Sequence, residues 1–296
     1  MNRTDNARAA YQKAKDEGYA LGAFNIDNQE TLIAICRAMQ AKNAPGLIEV
    51  SNSEVKAMGM KNIRDMVDNY REEYGIELYI NLDHSPEAEA AKEAIDAGYE
   101  FIHIDISQAD HNASEADIIA KTRDVVEHAK TTGAIVESEP HYFGGGSNVF
   151  DEAIDYEEVR KTFTDPEGAK KFIEETGIDT FAVAIGNLHG KYPVPKQLDI
   201  ELLKQIRDIV PADSYLSLHG GSGTPAHFYR EAVTNGISKV NINSDLRFTF
   251  RETLEKVLAE NPDQYAIVKL MPTVIEAVQK VVEEKIDLFG STGKAA

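Results

Sequence analysis

Cysteine is almost absent. Cys36 is the only one in 296 residues, so no disulfide can form within the chain and a reducing cytoplasm is the expected compartment. It lies in the helical pattern ETLIAICRAMQ, where a buried structural thiol is expected rather than a nucleophile. Positive charge is also scarce. The chain carries 31 Lys and Arg against 50 Asp and Glu, a net charge of −19. Such a field excludes nucleic acid and anionic membrane as partners, because both require a cationic surface. A phosphorylated small molecule stays compatible, since backbone N–H groups and one metal can hold an anion against the global field. No leader of charged then apolar residues opens the sequence, and no apolar run approaches spanning length. These absences point to a cytoplasmic protein.

What is present is a regular alternation. Hydrophobic residues make up 42% of the chain, enough for a large core. Short β-branched runs fall at 19–26, 46–51, 78–83, 101–107, 134–139, 180–185, 215–220 and 239–244. Helical spacing separates them, as in PEAEAAKEAIDAG and SEADIIAKTRDVVEHAK. Glycines close several of these helices just before a strand, as in EETGIDTFA and VTNGISKVN. Eight strands alternating with helices predict an α/β fold, a (β/α)8 TIM barrel, with a C-terminal helical extension. No linker or repeat interrupts the pattern, so residues 1–296 read as one domain.

Polar residues gather at the predicted strand ends. Asn25, Ser51, Asp83, His84, Asp105, Glu139, His219, Asn241 and Ser244 all lie at or near a strand C-terminus, and His189 follows the sixth strand. That end of a barrel carries the active site. Each residue alone could be a satisfied polar group, but so many on one rim read as a site. Three imidazoles from different strands, His84, His189 and His219, suit zinc and leave a position open for substrate. Asp83 is placed for acid–base work, and Asp105 as a supporting or alternative carboxylate. The glycine-rich LHGGSG and the NINS end of the eighth strand predict a neighbouring anion site. His103 is expected to pack outside the barrel, and His111, His128 and His227 to be solvated.

The segments NLDHS, HIDIS, VESE, AIGNLHGKY, LHGGSG and KVNINSDLR follow the order seen in class II, metal-dependent ketose-bisphosphate aldolases. The chain resembles that family from GYALGAFNIDN to IDLFGSTGKA. The resemblance implies zinc on His84, His189 and His219, with Glu139 and Asp105 near alternative metal positions and Asp83 as the catalytic acid. It further implies that Gly190, Gly220, Ser222, Asn243 and Ser244 hold the phosphate of dihydroxyacetone phosphate. Asn241 would contact the enediolate, Asn25 and Ser51 the substrate, and Arg247 a distal phosphate. A monovalent cation near the phosphate, a phosphorylated sugar substrate and a homodimer or homotetramer are implied as well. Fructose 1,6-bisphosphate is the leading substrate; tagatose 1,6-bisphosphate, a ketose 1-phosphate and a noncatalytic barrel subunit are the alternatives. Two departures stand out. Ser147 occupies the place of a loop glutamate, with His141, Asp151 and Glu152 as candidate substitutes. Val268, beside Lys269, replaces an arginine that contacts a distal phosphate.

Overall fold

A computed structural model describes residues 3–140, 150–151, 154–190 and 192–296. Eight parallel strands close into a barrel in chain order. They are β1 (Leu21–Asn25), β2 (Gly46–Val50), β3 (Leu78–Ser85), β4 (Phe101–Ile104), β5 (Ile135–Ser138), β6 (Thr180–Ala182), β7 (Tyr215–Leu218) and β8 (Ile237–Ile242). Pairing of Leu21 with Lys239 and of Ala23 with Asn241 closes the ring. The expected fold is the observed one. Strand limits differ by a few residues: β4 and β6 each end three residues early, β4 giving way to the helical turn Ile106–Ala109, and β8 begins two residues early. The C-terminal extension is the helix Ile267–Phe289, which packs mainly on the helices Gln29–Lys42 and Ser244–Glu260.

Local sequence explains the helices. Asn28 caps Gln29–Lys42 by accepting from the Thr31 N–H at 3.0 Å. Asp165 caps Pro166–Thr176, whose proline sits in the first turn and whose end is a left-handed Gly177. Along each strand, side chains alternate between two environments. One set, including Phe24, Ile48, Ile80, Ile102, Val136 and Val240, packs outward against the helices. The other set points inward. Near the strand N-termini this inner set is apolar, with Leu21, Leu47, Tyr79, Phe101, Ile135 and Tyr215 in one cluster. The helix Arg3–Glu17 adds Ala7, Ala10, Tyr11 and Ala14 to that cluster and closes this end. Higher in the barrel the inner set turns polar, and there the site begins.

Candidate active site at the strand C-termini

At the end of β3 the register against β4 shifts between Leu82 and Ser85. His84 there has φ +46°, a left-handed conformation that costs a residue with a Cβ about 1–3 kcal/mol. The irregularity breaks the strict alternation of the strand, and both Asp83 and His84 line the same cavity. Asp83 is held from two sides. The side-chain amides of Asn25 and Asn241 donate to its two oxygens at 3.0 and 3.3 Å. Burial pushes the Asp83 carboxyl up, but the His84, His103 and His219 rings around it win and hold it well below the usual carboxylate range.

The imidazoles of His84 and His219 approach each other, while His189 stands farther off and joins no group of ligand atoms close enough to share one ion among the described residues. Ring centroids lie 4.7 Å apart for His84 and His219, 5.2 Å for His84 and His189, and 6.3 Å for His189 and His219. His84 Nδ1 meets Asp105 Oδ2 at 2.7 Å, while its buried Nε2 has no hydrogen-bond partner among the described residues. His219 Nε2 meets Glu137 Oε1 at 2.5 Å. A carboxylate on one ring nitrogen fixes the tautomer and leaves the other nitrogen as a lone pair for a metal. Burial also drives His219 down to about 3, against the pull of Glu137, which keeps the ring neutral as a ligand must be. The buried His84 Nε2 and Glu139 Oε1, which have no hydrogen-bond partner among the described residues, are the atoms a cation would satisfy. Ligand atoms of Asp83, His84, His103 and His219 lie close enough to share one ion, as do those of His84, His103, Asp105 and Glu139.

His103 therefore corrects the sequence reading. It is fully buried inside the barrel, not packed outside it. Its Nε2 meets Glu139 Oε2 at 2.8 Å, and its ring centroid lies 4.3 Å from that of His84. Burial alone would depress this imidazole, but Glu139 and Glu137 hold it well above its ordinary range. The signal was available: His103 shares the inward parity of Asp105, two residues on. The same rule finds a polar layer that sequence reasoning missed. Glu49, Asn81, Glu137 and Lys239 each sit two residues before Ser51, Asp83, Glu139 and Asn241. Lys239 Nζ meets Glu137 Oε2 at 2.6 Å and Glu49 Oε1 at 3.4 Å, and Asn81 donates to Glu49 at 2.7 Å. This charged layer supports His219 from below, through Glu137.

Above it opens a cavity of about 340 Å³. Asn25, Asp83, His84, Asp105, His189, His219 and Asn241 line it together with Gly190, Gly220, Ser222, Asn243 and Ser244. Glu139 lies buried beside His103 and is not part of the lining. The glycines are sterically required: a Cβ on Gly220, at φ +61°, would meet the Leu188 carbonyl oxygen at 2.4 Å, and one on Gly221 the Asn241 carbonyl at 2.8 Å. Two rim residues have prior commitments. Ser51 caps the helix Asn52–Met58 in a reciprocal box with Glu54. Arg247 pairs with Asp27 at 2.6 Å and Glu54 at 3.0 Å. Val268 and Lys269 are exposed and do not line the cavity. His141, Ser147 and Glu152 lie outside the described residues; Asp151 is exposed. His128 pairs with Asp96 at 2.8 Å on the outer surface. Cys36 is buried, and burial pushes its thiol up to about 12.

A parallel barrel whose imidazoles, carboxylates and glycine-built pocket meet at its C-terminal rim has the architecture of a TIM-barrel enzyme. The sequence model described as fructose-bisphosphate aldolase class-II matches residues 5–294. The chain is 37% identical to the fructose-bisphosphate aldolase of Streptococcus pneumoniae serotype 4, covering 98% of this chain and 99% of that one. It is 34% identical to the Geobacillus stearothermophilus enzyme of the same name, over 94% of each. Among solved structures it is similar to the YdjI aldolase of Escherichia coli K12 (TM-score 0.81, 29% identity, 98% of both chains). It is likewise similar to a putative fructose-1,6-biphosphate aldolase from Coccidioides immitis (TM-score 0.83, 29% identity, 98% of both chains). The chain belongs to the class II fructose-bisphosphate aldolase family, a family of lyases. No helix among the described residues is long and apolar enough to cross a membrane.

Proposed function

We propose that the protein reversibly cleaves fructose 1,6-bisphosphate to dihydroxyacetone phosphate and glyceraldehyde 3-phosphate, with zinc held by His84, His189 and His219. The observation that carries this reading is the ionised Asp83 set beside the buried His84 Nε2, in the same cavity as the glycine-built pocket. Zinc bound there would polarise the substrate carbonyl and stabilise the negative charge that develops on it. Asp105 and Glu137 orient His84 and His219 through their second ring nitrogens. His103, Asp105 and Glu139 offer further ligand atoms at the same centre. Gly190, Gly220, Ser222, Asn243 and Ser244 seat the phosphate of the ketose.

Asp83 then does the proton work. In cleavage its carboxylate takes the proton from the hydroxyl on the carbon that becomes the aldehyde. As that C–O bond gains double-bond character, the carbon–carbon bond breaks and its electron pair passes to the ketose-phosphate fragment. In the reverse direction Asp83 returns the proton to the new hydroxyl. Asn25 and Asn241 keep the carboxylate in position by donating to both oxygens. The buried Cys36 accords with a cytoplasmic setting.

A second reading, an aldolase for a ketose phosphate with a different distal group, is favoured by one observation. Arg247 is already paired with Asp27 and Glu54, so a distal phosphate must compete with two carboxylates. A panel of fructose and tagatose 1,6-bisphosphates and ketose 1-phosphates, assayed with zinc-loaded protein, decides between the two. We expect turnover of fructose 1,6-bisphosphate, and a KM for it about tenfold higher in Arg247→Ala, the scale of one charge-assisted contact. Preference for a 1-phosphate would select the second reading. Turnover of no ketose phosphate by folded, zinc-loaded protein would reject both.

A further inference from the structure

Lys196 is a buried cation with no carboxylate in ion-pairing distance among the described residues. It is 1% exposed, and its ammonium faces three backbone carbonyls: Leu188 at 2.5 Å, Gly220 at 2.9 Å and Ser222 at 2.5 Å. An ammonium has three donors and no acceptor, so the three carbonyls use it fully. They come from the loops after β6 and β7. Gly220 and Ser222 themselves line the cavity, and Leu188 immediately precedes His189. Ser222 reaches a third segment, since its Oγ accepts from the Asp245 N–H at 3.1 Å in the first turn of Ser244–Glu260. One point charge thus joins the loops after β6 and β7, and Ser222 links them to the first turn of Ser244–Glu260. Without a cation, three carbonyl dipoles converging in a buried space would repel one another and go unpaired.

We propose that Lys196 is the built-in monovalent cation of the phosphate pocket, filling a carbonyl cage that would otherwise need a free alkali-metal ion. The ammonium supplies positive charge behind the loops that meet the anion and locks Gly220 and Ser222 in their binding conformation. It is a positioning residue, and it makes anion binding here independent of potassium and sodium. This departs from the free monovalent cation that the family resemblance implies. The inference rests on the reading of this cavity as a phosphate pocket.

The test is binding of inorganic phosphate to the metal-loaded protein by calorimetry, at constant ionic strength, with tetramethylammonium exchanged for potassium, sodium or ammonium. The wild-type dissociation constant should change by less than about twofold across the four cations, against roughly tenfold for one charged hydrogen-bonding partner. Lys196→Met keeps the apolar stem and should bind phosphate about tenfold more weakly in tetramethylammonium. Potassium or ammonium should restore most of that loss by entering the vacated cage, which a purely structural role would not allow. Wild-type affinity that rises with potassium or sodium would overturn the proposal, and this arm needs no variant to fold. A folded Lys196→Met protein that binds phosphate normally in tetramethylammonium, or whose loss no cation restores, would also overturn it. Absence of phosphate binding by wild type would defeat the pocket and this proposal together. Normal phosphate binding without ketose-bisphosphate turnover would defeat only the aldolase reading.

Discussion

The two ends of the barrel interior are built from the same eight strands and have opposite chemistry. At the N-terminal end, Tyr11 stacks on Tyr215 with centroids 4.0 Å apart and meets the edge of Phe101 at 5.4 Å. Leu21, Ala23, Leu47 and Ile135 fill the space around them. Two residues further along the strands, Glu49, Asn81, His103, Glu137 and Lys239 are just as buried. The first end gains from area removed from water. The second buries charges at a cost, which is met only because each finds a partner. Burial alone therefore does not mark a core. Partner chemistry separates the plug from the site, and changes at the two ends should have separable consequences.

The largest effect is expected at Asp83. Asp83→Asn keeps the shape and much of the hydrogen bonding but removes the base, so kcat should fall by about 10²–10⁴-fold. Thermal unfolding and zinc content should change little, and both should be measured beside the rate. At the opposite end, Tyr11→Ala should cost about 3–5 kcal/mol of stability, the scale of other large aromatic truncations. Urea unfolding reads that loss, while kcat per folded molecule should stay near wild type. A rate loss larger than the loss of folded protein would show that the two ends are coupled. The smallest effect belongs to His103, in the polar layer of the site end. His103→Gln should weaken zinc affinity by about 10–100-fold, the range for groups that support or join a metal site. Competition with a chelator measures it, and unchanged affinity would place His103 in the scaffold.

Much of this contrast is legible in the sequence, because a strand's period of two assigns every residue to a face once one of them is placed. Asp83, His84, His219 and the glycines of LHGGSG are found by their position at strand ends; the adjacent Asp83 and His84 share the cavity only because the strand is irregular there. His103 is misplaced because FIHIDIS is apolar enough to read as a strand packed on both faces. Its Ile102, Ile104 and Ile106 mark the outer side, and His103 with Asp105 the inner. The charged layer escapes notice for a related reason. Glu137 and Lys239 lie in mid-strand, where a lone charge reads as an outward-facing group until the closed barrel brings the two within 2.6 Å. The plug helix is faint because its buried stripe, Ala7, Ala10, Tyr11 and Ala14, is mostly alanine. Its helical spacing is intact, yet its hydrophobic contrast is low. Ser51 shows the reverse error risk: a polar residue at a strand end whose hydroxyl is already engaged in a helix cap. The spacing of Ser51 and Glu54 is the sequence pattern of a capping box and marks this serine as a cap.

Metal dependence tests the central claim most directly. Wild-type protein would be stripped with a strong chelator, dialysed, and titrated with zinc while bound metal and fructose 1,6-bisphosphate cleavage are followed together. Activity should vanish on stripping with the fold intact and return in step with about one zinc per chain, as for a catalytic site with three protein ligands. His219→Ala, treated alongside, should bind less zinc and recover little activity. Full turnover by the stripped protein, with no metal detected in it, would contradict the assignment of this imidazole cluster as the catalytic centre.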